Sequence, residues 1–140
     1  MKVPEVNFST WEKWQCRERL SEEFDVPEDF GLLGVYLLAS PQPSDQELHH
    51  LAHEVIYIGM SGHVTKRLDK SHKTVRRYRL ESGDDGAENL YFSLWPSEWS
   101  NWHQNSNIHQ TRLAYIRYIE RKLIWEYANK YGELPRLNNI

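Results

Sequence analysis

The chain holds a single cysteine, Cys16, among 140 residues. No disulfide can form within it, so nothing calls for an oxidising compartment. Long apolar runs are missing too. The longest strongly apolar stretch, Leu32 to Ala39, falls far short of the roughly 20 residues that a spanning helix needs. Met1-Lys2-Val3-Pro4-Glu5 has no apolar core of a secretory signal. A soluble, cytoplasmic protein with no membrane partner is expected. Positive charge is not in excess: the net charge is −3, which is not the footprint of a strongly basic, non-specific nucleic-acid binder. Internal repeats, linkers and low-complexity segments are absent.

Aromatic residues are plentiful. Six Trp and eight Tyr set the chain apart from disordered sequences, which are poor in both. The length suits one ordinary domain spanning 1–140. Ser9-Thr10-Trp11-Glu12 has the form of a capping box, predicting a helix from Thr10 to Phe24 with Trp11, Trp14 and Leu20 as its buried stripe. Gly34 to Ala39 and Val55 to Met60 read as strands, joined by a polar excursion from Ser40 to Glu54. Val64, Leu68, Val75 and Tyr78 recur at helical spacing and predict one helix from Gly62 to Leu80. A third strand, Leu90 to Trp95, should end at Pro96. A long helix, Ile108 to Tyr131, should end at Gly132. The order α-β-β-α-β-α suggests one compact α+β domain.

Charge is segregated along this chain. Lys66, Arg67, Lys70, Lys73, Arg76, Arg77 and Arg79 fall within fourteen residues that hold one acid, Asp69. Such a run is either a solvated helix face or a surface that attracts phosphate. Glu120 is placed against the pattern of the last helix, among Ile116, Leu123 and Ile124. A carboxylate on an apolar stripe needs a cation, a donor or a metal. A salt bridge to Arg117 or to the basic run is the structural account, and a functional site is the other. Arg67, taken alone, is an ordinary surface arginine that could also hold a phosphate bidentately. Tyr36 and Tyr57 each lie inside an apolar strand, where a buried hydroxyl needs a partner.

Taken together, Gly34-Val35-Tyr36, Tyr57-Ile58-Gly59, Arg67, Glu120-x-x-Leu123-Ile124 and Pro135-Arg136-Leu137-Asn138 resemble the GIY-YIG nuclease family in type and order. The resemblance runs from Gly34 to Asn138. It implies a small three-stranded antiparallel sheet with flanking helices over 34–139, to which residues 1–30 add an N-terminal helical extension. The implied activity is metal-dependent hydrolysis of a phosphodiester in DNA by in-line attack of water. In that scheme Glu120 holds Mg²⁺ or Mn²⁺. Arg67 holds the scissile phosphate, Tyr57 with Tyr36 positions or deprotonates the water, and Asn138 orients a neighbour. Lys66, Lys70, Lys73, Arg76, Arg77 and Arg79 would bind nucleic acid. The two tripeptides should pair as an antiparallel hairpin with both hydroxyls opening toward one groove.

Some features depart from the family pattern. Twenty residues separate the tripeptides, more than in the smallest members. Several members place a histidine four residues past the arginine. Here that place holds Ser71, and His72 comes one later. On one continuous helix His72 would point away from Arg67, so neither residue receives a firm role. Two alternatives stay open: an inactive nucleic-acid-binding module of the same fold, and an enzyme acting on RNA or single strands. His49 and His53 are spaced for zinc, but no third ligand is evident. Trp95, Trp99 and Trp102 could stack on bases, but such residues more often plug a core edge.

Overall fold

The computed structural model describes residues 4–19, 32–44, 51–64, 72–100 and 107–138. Among them the chain is α+β: β1 (Glu12–Lys13), a 3-10 helix (Trp14–Arg19), β2 (Leu32–Ala39), β3 (Val55–Ser61), α1 (Lys73–Ser82), β4 (Tyr91–Ser100) and α2 (Asn107–Tyr131). The strands form one antiparallel sheet in the order β1-β4-β2-β3. No helix among the described residues is long and apolar enough to cross a membrane.

The run Leu-Leu-Gly-Val-Tyr-Leu-Leu-Ala has no polar alternation because β2 is central and covered on both faces. Alternate side chains feed two cores. Tyr36 and Leu38 join Phe92, Leu94 and Trp14 against Val75 and Tyr78 of α1. Leu33, Val35, Leu37 and Ala39 join Ile58, Trp95 and Trp99 against Ile116, Ile119, Leu123 and Tyr127 of α2. The helices therefore lie on opposite faces of the sheet. α2 ends as expected, at Gly132 with φ 78°, whose N–H donates to Ala128 O at 2.8 Å.

Several sequence expectations are corrected. The sheet has four strands, not three, because Glu12 and Lys13 pair with Phe92 and Tyr91. The helix expected from Thr10 does not form there. Ser9 exchanges bonds with β4: its N–H donates to Leu94 O at 2.7 Å and its Oγ accepts from Leu94 N–H at 2.9 Å. Trp11 and Trp14 accordingly enter different cores instead of sharing one helical stripe. The helix stop expected for Phe24, and Leu20, lie outside the described residues.

β4 does not stop at Pro96 but continues to Ser100. The N–H and C=O of Leu94 turn toward Ser9, so Pro96, two residues on, faces the same outer side. A missing N–H there removes no bond to β2. An irregularity follows between Leu32 and Gly34. Gly34 is required by that crowding: a Cβ would meet Trp95 O and approach Val64 Cγ1 to 2.8 Å. The single helix expected from Gly62 to Leu80 is also corrected, because α1 starts only at Lys73, with His72 as its non-helical N-cap (φ −54°, ψ 124°).

Candidate functional site

The hairpin forms as the two tripeptides require. β2 and β3 are antiparallel, with Tyr36 opposite Gly59 and Leu38 opposite Tyr57. Residues two apart share a face, so Tyr36 and Tyr57 project to the same side, their ring centroids 5.8 Å apart. Gly59 lies between them. A Cβ there would come within 2.7 Å of the Tyr36 ring and hydroxyl and of Tyr57 Cε1, so only glycine lets the rings close together. The expected common groove is half right. Tyr57 is half-buried, but Tyr36 is only 1% exposed and its hydroxyl lies inside.

The partner of that hydroxyl is His72, whose Nε2 lies 2.9 Å from Tyr36 Oη. His72 is buried, and its ring meets both Tyr36 and Tyr57 edge-on. Its other nitrogen caps α1, with Thr74 N–H donating to Nδ1 at 3.2 Å. A backbone N–H can only donate, so Nδ1 must accept. In the neutral ring the proton then sits on Nε2 and is donated to Tyr36 Oη. Helical phase does not govern His72, because it has non-helical torsions and caps α1 with its ring against the tyrosines.

A second group gathers at the outer edge of β3. Asn138 grips Ile58 with both amide atoms: Oδ1 accepts from Ile58 N–H at 2.8 Å and Nδ2 donates to Ile58 O at 2.9 Å. Leu137 N–H donates to Ile56 O at 2.8 Å. Glu120 reaches the same edge from α2, where Met60 N–H donates to its carboxylate. Its side chain is 16% exposed, and Arg121 Nε stands 3.6 Å from Oε1. Burial raises the Glu120 pKa above the ordinary carboxylate value, while Arg121, Arg117 and the Met60 N–H work in the opposite direction. The close ion pair is therefore with Arg121, which is largely exposed, and the carboxylate keeps a route to solvent.

The remaining candidates divide. Arg67, Lys66, Lys70 and Ser71 lie outside the described residues. Of the described residues that flank this stretch, Val64 belongs to the apolar cluster that includes Tyr36, and His72 is hydrogen-bonded to Tyr36. Lys73 and Arg76 are exposed on α1. Arg77 and Arg79 turn inward instead. Arg77 donates to Leu137 O at 3.2 Å and pairs with Glu81, and Arg79 lies over the Trp14 ring at 4.9 Å. Their packing against the C-terminal turn and Trp14 is a structural use that the charge run concealed.

His49 and Trp102 fall outside the described residues. His53 packs on Tyr131, and Trp95 and Trp99 are buried in the core. No group of three or more His, Cys, Asp or Glu side chains among the described residues is arranged to hold a metal. Sequence reasoning missed the role of Met60, whose contribution is a backbone N–H that no residue type announces. It also undervalued His72, for which a break between Val64 and Val75 was the needed signal. Compared with known protein families, curated proteins and solved structures, the chain matches none.

Proposed function

We propose that the chain is a GIY-YIG-type endonuclease that hydrolyses a phosphodiester bond in DNA with a divalent ion, Mg²⁺ or Mn²⁺. One observation carries this reading. Tyr36, Glu120 and Asn138 come from distant stretches, yet each meets the segment Tyr57 to Met60. Tyr36 lies opposite Gly59, Asn138 holds Ile58, and Glu120 accepts from Met60. Glu120 is also a carboxylate whose burial disfavours its charged form, so a bound cation would relieve it.

Glu120 suits a hard cation. It offers oxygen only, it is partly exposed, and a bound cation would offset the burial penalty on its anion. When bound, the ion supplies charge neutralisation at the phosphate oxygens and the leaving group. Tyr57, half-buried, has access to substrate and water, and it orients or deprotonates the attacking water. A phenol must give up its own proton before it can act as a base, and nearby cationic charge favours that. With Tyr57 as the phenolate, the oxygen of the water forms the new P–O bond, the water's proton passes to the phenolate oxygen, the bond to the leaving oxygen breaks, and that oxygen takes a proton from solvent.

Tyr36 and His72 stand behind that group. The Nε2–H of His72 is donated to Tyr36 Oη, which orients the hydroxyl and favours its electron-rich form. Both act as positioning residues. Asn138 fixes Ile58, the residue between Tyr57 and Gly59, so the strand carrying Tyr57 cannot shift in register. Arg67 is assigned to the scissile phosphate through the resemblance alone.

The test is incubation of the purified protein with supercoiled plasmid, single-stranded DNA and RNA, with Mg²⁺, with Mn²⁺ and with chelator. Nicking or linearisation that needs the ion and disappears in Glu120→Gln is expected. A folded protein that cuts none of the three with either ion overturns the reading. Cleavage of RNA alone moves the substrate class.

A further inference from the structure

Among the described tryptophans one is out of place. Trp11, Trp14, Trp95 and Trp99 are between 2% and 9% exposed, whereas Trp125 on α2 is 64% exposed. Tyr118 on the same helix is 56% exposed. Large aromatic rings left in water on a packed helix call for an occupant. The two lie seven residues apart, about 10 Å along the axis at 1.5 Å per residue. Arg121 and Lys122 fall between them, each three or four residues from both rings and so on the same face. Arg117 adjoins Arg121 at i, i+4. Arg117, Arg121 and Lys122 are all exposed, and the acids facing them are Glu126, at 4.0 Å from Lys122, and Glu120, at 3.6 Å from Arg121.

We infer that this face of α2 binds a single strand of nucleic acid, with bases stacked on Trp125 and Tyr118 and phosphates held by Arg117, Arg121 and Lys122. The inference extends the proposed function, because Arg121 bridges the two surfaces. Its guanidinium is 3.6 Å from Glu120 at the edge of β3, and its position on the helix adjoins Trp125. A strand with a phosphate near Glu120 has cations along its path to the aromatic pair. The spacing of the rings matches roughly three base steps of 3.4 Å. Tyr118 is held for this purpose: its ring packs on Tyr115 at 6.1 Å, and Tyr115 meets the buried Trp99 edge-on at 5.7 Å. Aromatic platforms interleaved with cations are what sequence-tolerant binding of unpaired strands uses. A second copy is the poorer occupant, since a two-fold pairing of this face would bring Arg121 and Lys122 against their own copies.

The experiment measures binding, not cleavage. Fluorescence anisotropy of labelled oligothymidylate and of a blunt duplex of equal length is read in chelator, for the wild type, Trp125→Phe and the double variant Tyr118→Ala/Trp125→Ala. The double variant should lose roughly tenfold or more in affinity for the single strand. It should change little for the duplex and keep the wild-type melting temperature, because both rings are exposed. Trp125→Phe should retain most of the affinity. Unchanged single-strand binding by the folded double variant overturns the inference, as does a change in oligomeric state on sizing with nucleic-acid binding unaltered. Wild type that binds the strand but cuts nothing sinks the nuclease reading and leaves this one standing. Wild type that cuts duplex while the double variant binds normally does the reverse.

Discussion

The outer sides of β4 and β3, the two strands that flank β2, are closed in different ways. Along β4 the N-terminal stretch supplies backbone. Ser9 and Leu94 exchange bonds, Glu12 and Lys13 pair with Phe92 and Tyr91, and Trp14 N–H donates to Leu90 O at 2.9 Å. Apart from the Ser9 hydroxyl, those bonds are indifferent to side-chain identity. Along β3 the closing groups are mostly side chains: the Asn138 amide on Ile58 and the Glu120 carboxylate on Met60, with only Leu137 lending backbone. Both arrangements satisfy polar groups that would otherwise invite edge pairing. Only the second commits particular residue types. An edge closed by an acid that burial penalises is costlier than one closed by backbone, and the proposed function assigns a use to that excess.

Substitutions on the two edges should therefore separate stability from activity. The largest effect belongs to Glu120→Gln. Cleavage should fall by on the order of a thousandfold, as when a transition-state electrostatic group is removed. Stability should move the other way. The pKa of Glu120 is raised by burial, so its protonated form favours the fold, and that contribution is lost as pH rises through the folded value. The Gln variant should melt above wild type at neutral pH, with the gap closing toward the ordinary glutamate value of about 4.3. Melts between acidic and neutral pH check the sign, and a Gln variant less stable at neutral pH breaks the contrast between the edges.

Tyr57→Phe comes next, with a loss of about a hundredfold in rate and little loss of stability, since the ring and its packing remain. His72→Gln should lower the rate less and shift the pH profile, because it alters the donor to Tyr36 without touching Tyr57. A single-turnover rate measured across pH distinguishes the two: a His72 variant with an unchanged profile removes it from the site. Asn138→Ala is mainly a stability change. It leaves Ile58 N–H and C=O unpaired and should cost about 2–3 kcal/mol by urea denaturation. Asn138→Asp should not restore this, since a carboxylate accepts from the N–H but opposes the C=O. The smallest effect is Ser9→Ala on the opposite edge, about 1 kcal/mol with cleavage unchanged. A loss of activity there would mean that the β4 edge also serves the site.

The site was legible to the extent that its signals were local. Tyr36 and Tyr57 sit in apolar runs bounded by glycine, and the register that pairs Gly34-Val35-Tyr36 with β3 follows from the two runs lying in one hairpin. Glu120 stood out because three apolar neighbours on one helical face have no use for a carboxylate. What periodicity missed depends on contacts distant in sequence. Ser9 scored as a cap because its four-residue context fits one, but the open edge of β4, more than eighty positions away, offered it both a donor and an acceptor. Pro96 scored as a strand end because a lost N–H usually breaks a ladder, yet its N faces the side of β1, whose pairing is with Tyr91 and Phe92.

The sequence by itself determined that this chain builds an α+β domain with two short apolar strands that each carry a tyrosine, and with an acid on an apolar helical stripe. Those follow from the 2-residue and 3.6-residue periods, which any observer of the chain can count. Only the tertiary structure decided that His72 faces Tyr36, that Asn138 and Glu120 close one edge, that Arg77 and Arg79 turn inward, and that Trp125 stays in water. The physical reason is that a backbone donor, a hydrogen-bond partner or a covered face is a property of two segments at once. Which segments meet is set by the burial of the whole chain rather than by the residues that carry the chemistry.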